Sequence, residues 1–103
     1  MNPPEVRVRL LHTAEDDLAD LLSFIAVDNP AAAEALLSKF TKNLLLLSQH
    51  PRLGRMPEDE WLARLGYRYL VIDNYLVFYT LEGNTCSIHR IIHGARDYPP
   101  LFS

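Results

Sequence analysis

Arg68-Tyr-Leu-Val-Ile-Asp-Asn-Tyr-Leu-Val-Phe-Tyr79 and, after a short gap, Ser87-Ile-His-Arg-Ile-Ile-His-Gly-Ala-Arg-Asp97 decide the fold. β-branched and aromatic residues dominate both runs, and Asp73-Asn74 between the two apolar stretches suits a two-residue hairpin turn. Strands are predicted over Tyr67–Ile72, Tyr75–Leu81 and Thr85–His93, with Glu82-Gly83-Asn84 as a second, glycine-containing turn. Tyr75, Val77, Tyr79 and Leu81 share one face of the middle strand, and Leu76, Phe78 and Thr80 share the other. Both faces are largely apolar, so this strand belongs in the centre of a sheet.

Upstream, Val6, Val8 and Leu10 alternate with Arg7 and Arg9, the pattern of a short strand with one apolar and one cationic face. Thr13 reads as a helix N-cap, with Asp16 at the capping-box position. Leu18, Leu21, Leu22 and Ile25 then form one apolar stripe on a helix of about four turns. Glu15, Asp16 and Asp17 fall in its first turn, where the helix dipole favours negative charge. With Asp20 they need no metal to explain them.

Asn29 caps a second helix and Pro30 takes its first position. Pro51 disfavours helix at the residue before it, so this helix should end near His50. Its core stripe is Ala33, Leu36, Leu37, Phe40, Leu44 and Leu47. Leu45 and Leu46 point away from that stripe. They are either a crowded helix end covered by the following loop or a second apolar surface for a partner.

Pro51 to Gly66 reads as a connection, locally basic through Arg52, Arg55 and Arg64, with Trp61 and Leu62 anchoring it to the core. The tail from Tyr98 to Ser103 should be extended because of its consecutive prolines. The order is β-α-α-β-β-β, an α+β domain with a helical hairpin on one face of a small, mainly antiparallel sheet. One domain spans residues 1–103, with residues 1–5 and 98–103 as extended tails.

Composition narrows the function. The chain has 103 residues, 49% hydrophobic and 22% charged, with a formal net charge of −3. That balance argues against bulk nucleic acid as the main partner. No apolar run approaches the roughly 18 residues needed to span a bilayer, and no secretory leader is visible. A lone cysteine, Cys86, in a predicted strand reads as a core residue in a reducing, cytoplasmic compartment.

Candidate chemistry collects where the last strand ends: Arg68, Arg90, His93, Arg96, Asp97 and Tyr98. Phosphate-cradling loops and a serine nucleophile elbow are missing from the sequence. His89 and His93 share a strand face but stand about 13 Å apart at ~3.3 Å per residue, too far for one ion, and no cofactor or metal is expected. A metal-independent ribonuclease needs a base, cations for a charged phosphorane and an acid. His93 with Arg68, Arg90 and Arg96 could supply base and cations, and Tyr98 a further donor. The same residues could instead bond to one another and to Asp97 and fix the sheet edge.

From about Val8 to Asp97 the chain resembles the RelE/ParE superfamily of type II toxin–antitoxin toxins. The pieces are Ala14-Glu-Asp-Asp-Leu18, Asn29-Pro-Ala-Ala-Ala33, His50-Pro-Arg-Leu-Gly54, Arg68-Tyr-Leu70, Tyr75-Leu-Val-Phe-Tyr79 and Arg90-Ile-Ile-His-Gly-Ala-Arg-Asp97, in that order. The resemblance implies the fold reached above and a cognate antitoxin encoded nearby, with operator DNA met only through that antitoxin. RelE-like members cut mRNA in the ribosomal A site. ParE-like members bind and poison DNA gyrase without a catalytic centre. RelE-like members carry a basic residue after the central-strand tyrosine, where this chain has Leu76. Near the C-terminus they carry a tyrosine, where this chain has Phe102. Arg96 alone matches their catalytic pattern well. The resemblance is therefore nearer the ParE side. It implies a growth-inhibiting toxin that binds gyrase through Arg68, Arg90, His93, Arg96 and Asp97, and Leu45 and Leu46 are candidates for antitoxin binding. The rivals are a ribosome-dependent mRNA endonuclease and a non-toxic binding module on the same fold.

Overall fold

The computed structural model describes residues 6–94 and residue 102. The elements are β1 (Arg7–Leu10), α1 (His12–Asp28), α2 (Pro30–Gln49), α3 (Glu60–Arg64), β2 (Tyr67–Ile72), β3 (Tyr75–Glu82) and β4 (Thr85–His93). The four strands form one sheet in the order β1-β4-β3-β2. β1 runs parallel to β4, and the other two pairings are antiparallel. The expected α+β architecture is present, with β3 inside the sheet. Asp73 takes positive φ (52°) in the first hairpin turn, and Gly83 (57°) does so in the second. The second turn is Gly83-Asn84 alone, because Glu82 still pairs with Thr85.

α1 and α2 cover one face. Ala14, Leu36, Phe40 and Leu47 pack on Leu70, Ile72, Val77, Tyr79, Cys86, Ile88 and Ile91. Each fully buried large side chain in this layer is worth roughly 1.5–3 kcal/mol. α2 starts as expected: Asn29 Oδ1 accepts from the Ala32 amide (3.1 Å), and Pro30 opens the helix. Leu37 is a correction. The spacing puts it on the core stripe, but it is 44% exposed, because no further layer among the described residues covers that side of the hairpin.

α1 departs from its expected cap. The helix begins at His12, Leu11 is the N-cap residue, and no side chain caps it. The cause is the sheet: the Leu11 amide donates to the Ile88 carbonyl (2.9 Å), so the chain turns from strand into helix across one residue. Thr13 is left inside the first turn.

The other face is covered by α3 and Phe102. Leu62, Phe78 and Ile92 are buried there with Tyr67, Tyr69, Leu76 and Phe102 around them. α3 corrects the expectation of an unstructured connection from Pro51 to Gly66. Its signal is Asp59, whose side chain accepts from the Leu62 amide (2.9 Å), followed by Glu60 and Arg64 at helix-pair spacing. On so short a helix only one side chain reaches the sheet, so Leu62 is fully buried while Trp61, expected as a second anchor, is 47% exposed.

Gly54 shows why the connecting loop is tight. The buried Tyr79 hydroxyl accepts from the Gly54 amide (2.8 Å) and donates to the Pro51 carbonyl (2.8 Å). A Cβ at Gly54 would lie 2.6 Å from the Tyr79 ring, closer than side chains approach. Arg55 bridges Tyr69 beside it and covers part of the outer edge of β2.

Candidate functional site at the open edge of the last strand

β1 ends opposite Ile88. Beyond that rung no strand among the described residues borders the outer edge of β4, and α1 lies alongside it instead. One carboxylate fills the gap. Asp17 accepts from the Ile91 amide (2.9 Å), from Arg90 Nε (2.8 Å) and from a second Arg90 nitrogen (3.2 Å). The pair is mostly buried, with 21% of the Arg90 and 17% of the Asp17 side chain exposed. This two-point, charge-assisted contact raises the Arg90 pKa further. Asp17 thus does more than complement a helix dipole. It satisfies a backbone donor that a fifth strand would otherwise take.

Arg90 reaches this position because β4 is irregular. Phe78 pairs with Arg90 and Tyr79 pairs with Ile88, leaving His89 as an extra residue. The bulge changes which residues face the helices: Cys86 and Ile88 before it, Ile91 after it. The sequence carries a trace of this, since the apolar alternation Cys86, Ile88 breaks at the polar doublet His89-Arg90 and resumes out of phase. The bulge also corrects the expectation that His89 and His93 share a face. His93 sets its ring edge-on to Tyr75 (5.6 Å), whereas His89 bonds to Thr80 and Tyr67 on the opposite face.

A cleft of about 380 Å³ lies between α1 and this strand edge, lined in part by Asp17, Asp20, Phe24, Tyr75, Arg90 and His93. Of the predicted site residues, Arg90 and His93 are therefore together. Arg68 is not with them. It sits on the rung of Tyr79 and Ile88, while His93 sits on the rung of Tyr75. Four residues of strand separate those rungs, about 13 Å at ~3.3 Å per residue. The Arg68 guanidinium instead donates to the Gly54 carbonyl (2.9 Å), steadying the loop that Tyr79 also holds. Arg96, Asp97 and Tyr98 lie outside the described residues.

The opposite face carries a polar row whose members are scattered along the sequence. Arg9, Ser87, Thr80 and Tyr67 occupy one rung across all four strands. Arg9 donates to Ser87 (3.3 Å), and His89 joins Thr80 (2.9 Å) to Tyr67 (3.2 Å) through its two ring nitrogens. Burial lowers the His89 pKa, outweighing the opposing pull of Glu82, and raises that of Tyr67. Such a row is written in partners from four strands, which spacing along one strand cannot reveal.

Leu45 and Leu46 are 59% and 46% exposed, so the loop after α2 does not cover them. No described helix is long and apolar enough to cross a membrane.

Comparison with known proteins agrees with this geometry. The family model for the ParE toxin of the type II toxin–antitoxin system parDE matches residues 8–98. A structure of the chromosomal ParDE toxin–antitoxin system from P. aeruginosa superposes with a TM-score of 0.72 at 19% identity, covering 88% of this chain and 98% of that one. The RelBE2 toxin–antitoxin complex from Mycobacterium tuberculosis gives a TM-score of 0.59 at 26% identity, covering 86% and 98%. No curated protein sequence matches significantly. On a family match that spans nearly the whole chain, and on a fold shared with both complexes, the chain belongs to the ParE toxin family, within the ParE/RelE superfamily of type II toxin–antitoxin toxins.

Proposed function

We propose that this toxin stops growth by binding DNA gyrase in the cytoplasm, without chemistry of its own, and that a co-encoded antitoxin neutralises it. The observation that supports binding over RNA cleavage is the use made of the arginines. Arg90 is committed to Asp17 and Arg68 to the Gly54 carbonyl, and about 13 Å of strand separates the rung of Arg68 from that of His93. A phosphorane needs its cations converging on one point, within hydrogen-bond reach of the base. The overlay on ParDE, closer than that on RelBE2, supports the same side.

The target contact is assigned to the strand end, to His93 together with Arg96 and Asp97, which lie outside the described residues. Antitoxin binding is assigned to the exposed pair Leu45 and Leu46, which suits the apolar face of an amphipathic segment. Operator DNA is reached only through the antitoxin.

Purified gyrase provides the test. The toxin is expected to block supercoiling and to trigger a DNA-damage response on expression. Cleaved transcripts on translating ribosomes, with supercoiling untouched, would establish the endonuclease instead. Arg96→Ala is expected to abolish growth inhibition with antitoxin binding and melting temperature unchanged. A folded, fully toxic Arg96→Ala protein would remove the strand end from the contact.

A further inference from the structure

We propose that the tip of the helical hairpin is a second part of the target contact: an apolar spot in an acidic ring, shaped for a cationic surface of a nucleic-acid-handling protein. This rests on the target-binding reading above. Phe24 and Val27, near the end of α1, are 82% and 83% exposed, more than any other large apolar side chain among the described residues. Leu37 on α2 is 44% exposed. Between the helices runs a shallow groove of about 290 Å³, lined by Leu22, Ala26, Ala33 and Leu37. Large apolar side chains left this open on a small domain mark a contact surface.

The charge around the spot selects the partner. From residue 10 to residue 38 the chain has six carboxylates (Glu15, Asp16, Asp17, Asp20, Asp28 and Glu34) and no lysine or arginine. Asp17 is spent on Arg90. Asp16 and Asp20 lie on the same helical face as Phe24, eight and four residues before it, and Asp28 lies four residues after it. Glu34 lines the groove. A second copy of this chain is a poor occupant, since a two-fold contact would set one acidic ring against another. The antitoxin is assigned to Leu45 and Leu46, about 12 Å further along α2 than Leu37 at 1.5 Å per residue. What fits is an apolar anchor flanked by lysine or arginine. Machines that act on DNA present such cations to phosphate, and a carboxylate ring can occupy the same groups.

Two variants test this. Phe24→Ser with Val27→Ser removes the spot, and Asp16→Lys with Asp20→Lys neutralises the ring, leaving Asp28 and Glu34 against two lysines. Each is expected to raise the toxin concentration that half-inhibits gyrase supercoiling at least tenfold and to relieve growth arrest. Affinity for the co-encoded antitoxin should stay within twofold, and the circular dichroism spectrum should be unchanged. Raising salt should weaken wild-type inhibition more than that of the lysine variant. Full inhibition by the folded serine variant would overturn the proposal. So would a parallel loss of antitoxin affinity, which would make the tip the antitoxin's seat, or a wild-type dimer that the serine changes dissolve. If the wild type arrests growth but leaves gyrase untouched, the gyrase assignment fails while the tip is still judged by growth arrest. A wild type that arrests nothing overturns both.

Discussion

The two faces of the sheet are held by different means. Under α1 and α2 lies a continuous apolar layer, and the polar groups at its borders are few and specific: Asp17 on the β4 edge and Tyr79 on the loop. On the other face a five-residue helix and Phe102 cover a smaller aromatic patch, and a hydrogen-bonded row runs beside it. The first face gains its stability from area removed from water, which does not depend on pH. The second relies in part on a neutral imidazole. One face should therefore yield to deletion of single bonds at its border, and the other to acid.

The largest effect is expected at the border of the first face. Asp17→Ala takes the mostly buried carboxylate from Arg90 and leaves the Ile91 amide without its acceptor, which should cost about 2–4 kcal/mol. Asp17→Asn keeps an acceptor for that amide and should cost less. Chemical denaturation of both variants checks the order, and equal losses would mean that charge alone matters there. Next comes Tyr79→Phe, which leaves the Gly54 amide and Pro51 carbonyl without their partner, for about 1–3 kcal/mol. In a domain of this size that lowers the melting temperature by about 4–8 °C per kcal/mol. An unchanged melting temperature would show that the loop is not closed through Tyr79.

A smaller change is expected on α2. Leu45→Asp with Leu46→Asp exposes no core and should cost at most about 1 kcal/mol, from two negative charges near the helix C-terminus. Antitoxin affinity measured by calorimetry should nonetheless collapse. Unfolding of the variant would make both leucines core residues, contrary to their exposure.

The smallest effect lies on the second face. Its folded-state pKa depressed by burial, His89 binds its proton less readily folded than unfolded. Its contribution is complete above the unfolded value near 6.5 and is lost as pH falls below it toward the folded value. Melting temperature should decline over that interval, and His89→Gln should flatten the decline. An equal slope in the variant would assign the acid sensitivity to other groups.

What the sequence made legible follows the range of each interaction. The hairpins, the Asn29-Pro30 helix start and the apolar face of β3 are set by residues within one turn or one strand, and all were readable. The start of α1 was not, because a hydrogen bond to Ile88, far along the chain, overrides the local preference of Thr13. Neither was the pairing of Asp17 with Arg90, which are 73 residues apart. At the candidate site the residue types are legible, but which of them meet is not: Arg68 stands on the rung of Tyr79 and His93 on that of Tyr75. In an antiparallel sheet the rungs, not the strand termini, decide who meets whom.

The extra residue in β4 acts on the strand as a frameshift acts on a message. Everything after His89 is read on the other side of the sheet from where plain alternation would put it. Drawing His89 into regular pairing would undo this, sending Ile91 toward α3 and Ile92 toward the helices and carrying His93 to the opposite side, whereas removing the residue would leave Ile88 and Arg90 on the consecutive rungs of Tyr79 and Phe78 and keep Ile91, Ile92 and His93 on their present sides. The placement of His93, on which the target contact is proposed to depend, therefore rests on His89 staying outside the ladder. The chain should tolerate many side chains at 89, and even the loss of the position itself, at the cost of the Thr80–Tyr67 bridge.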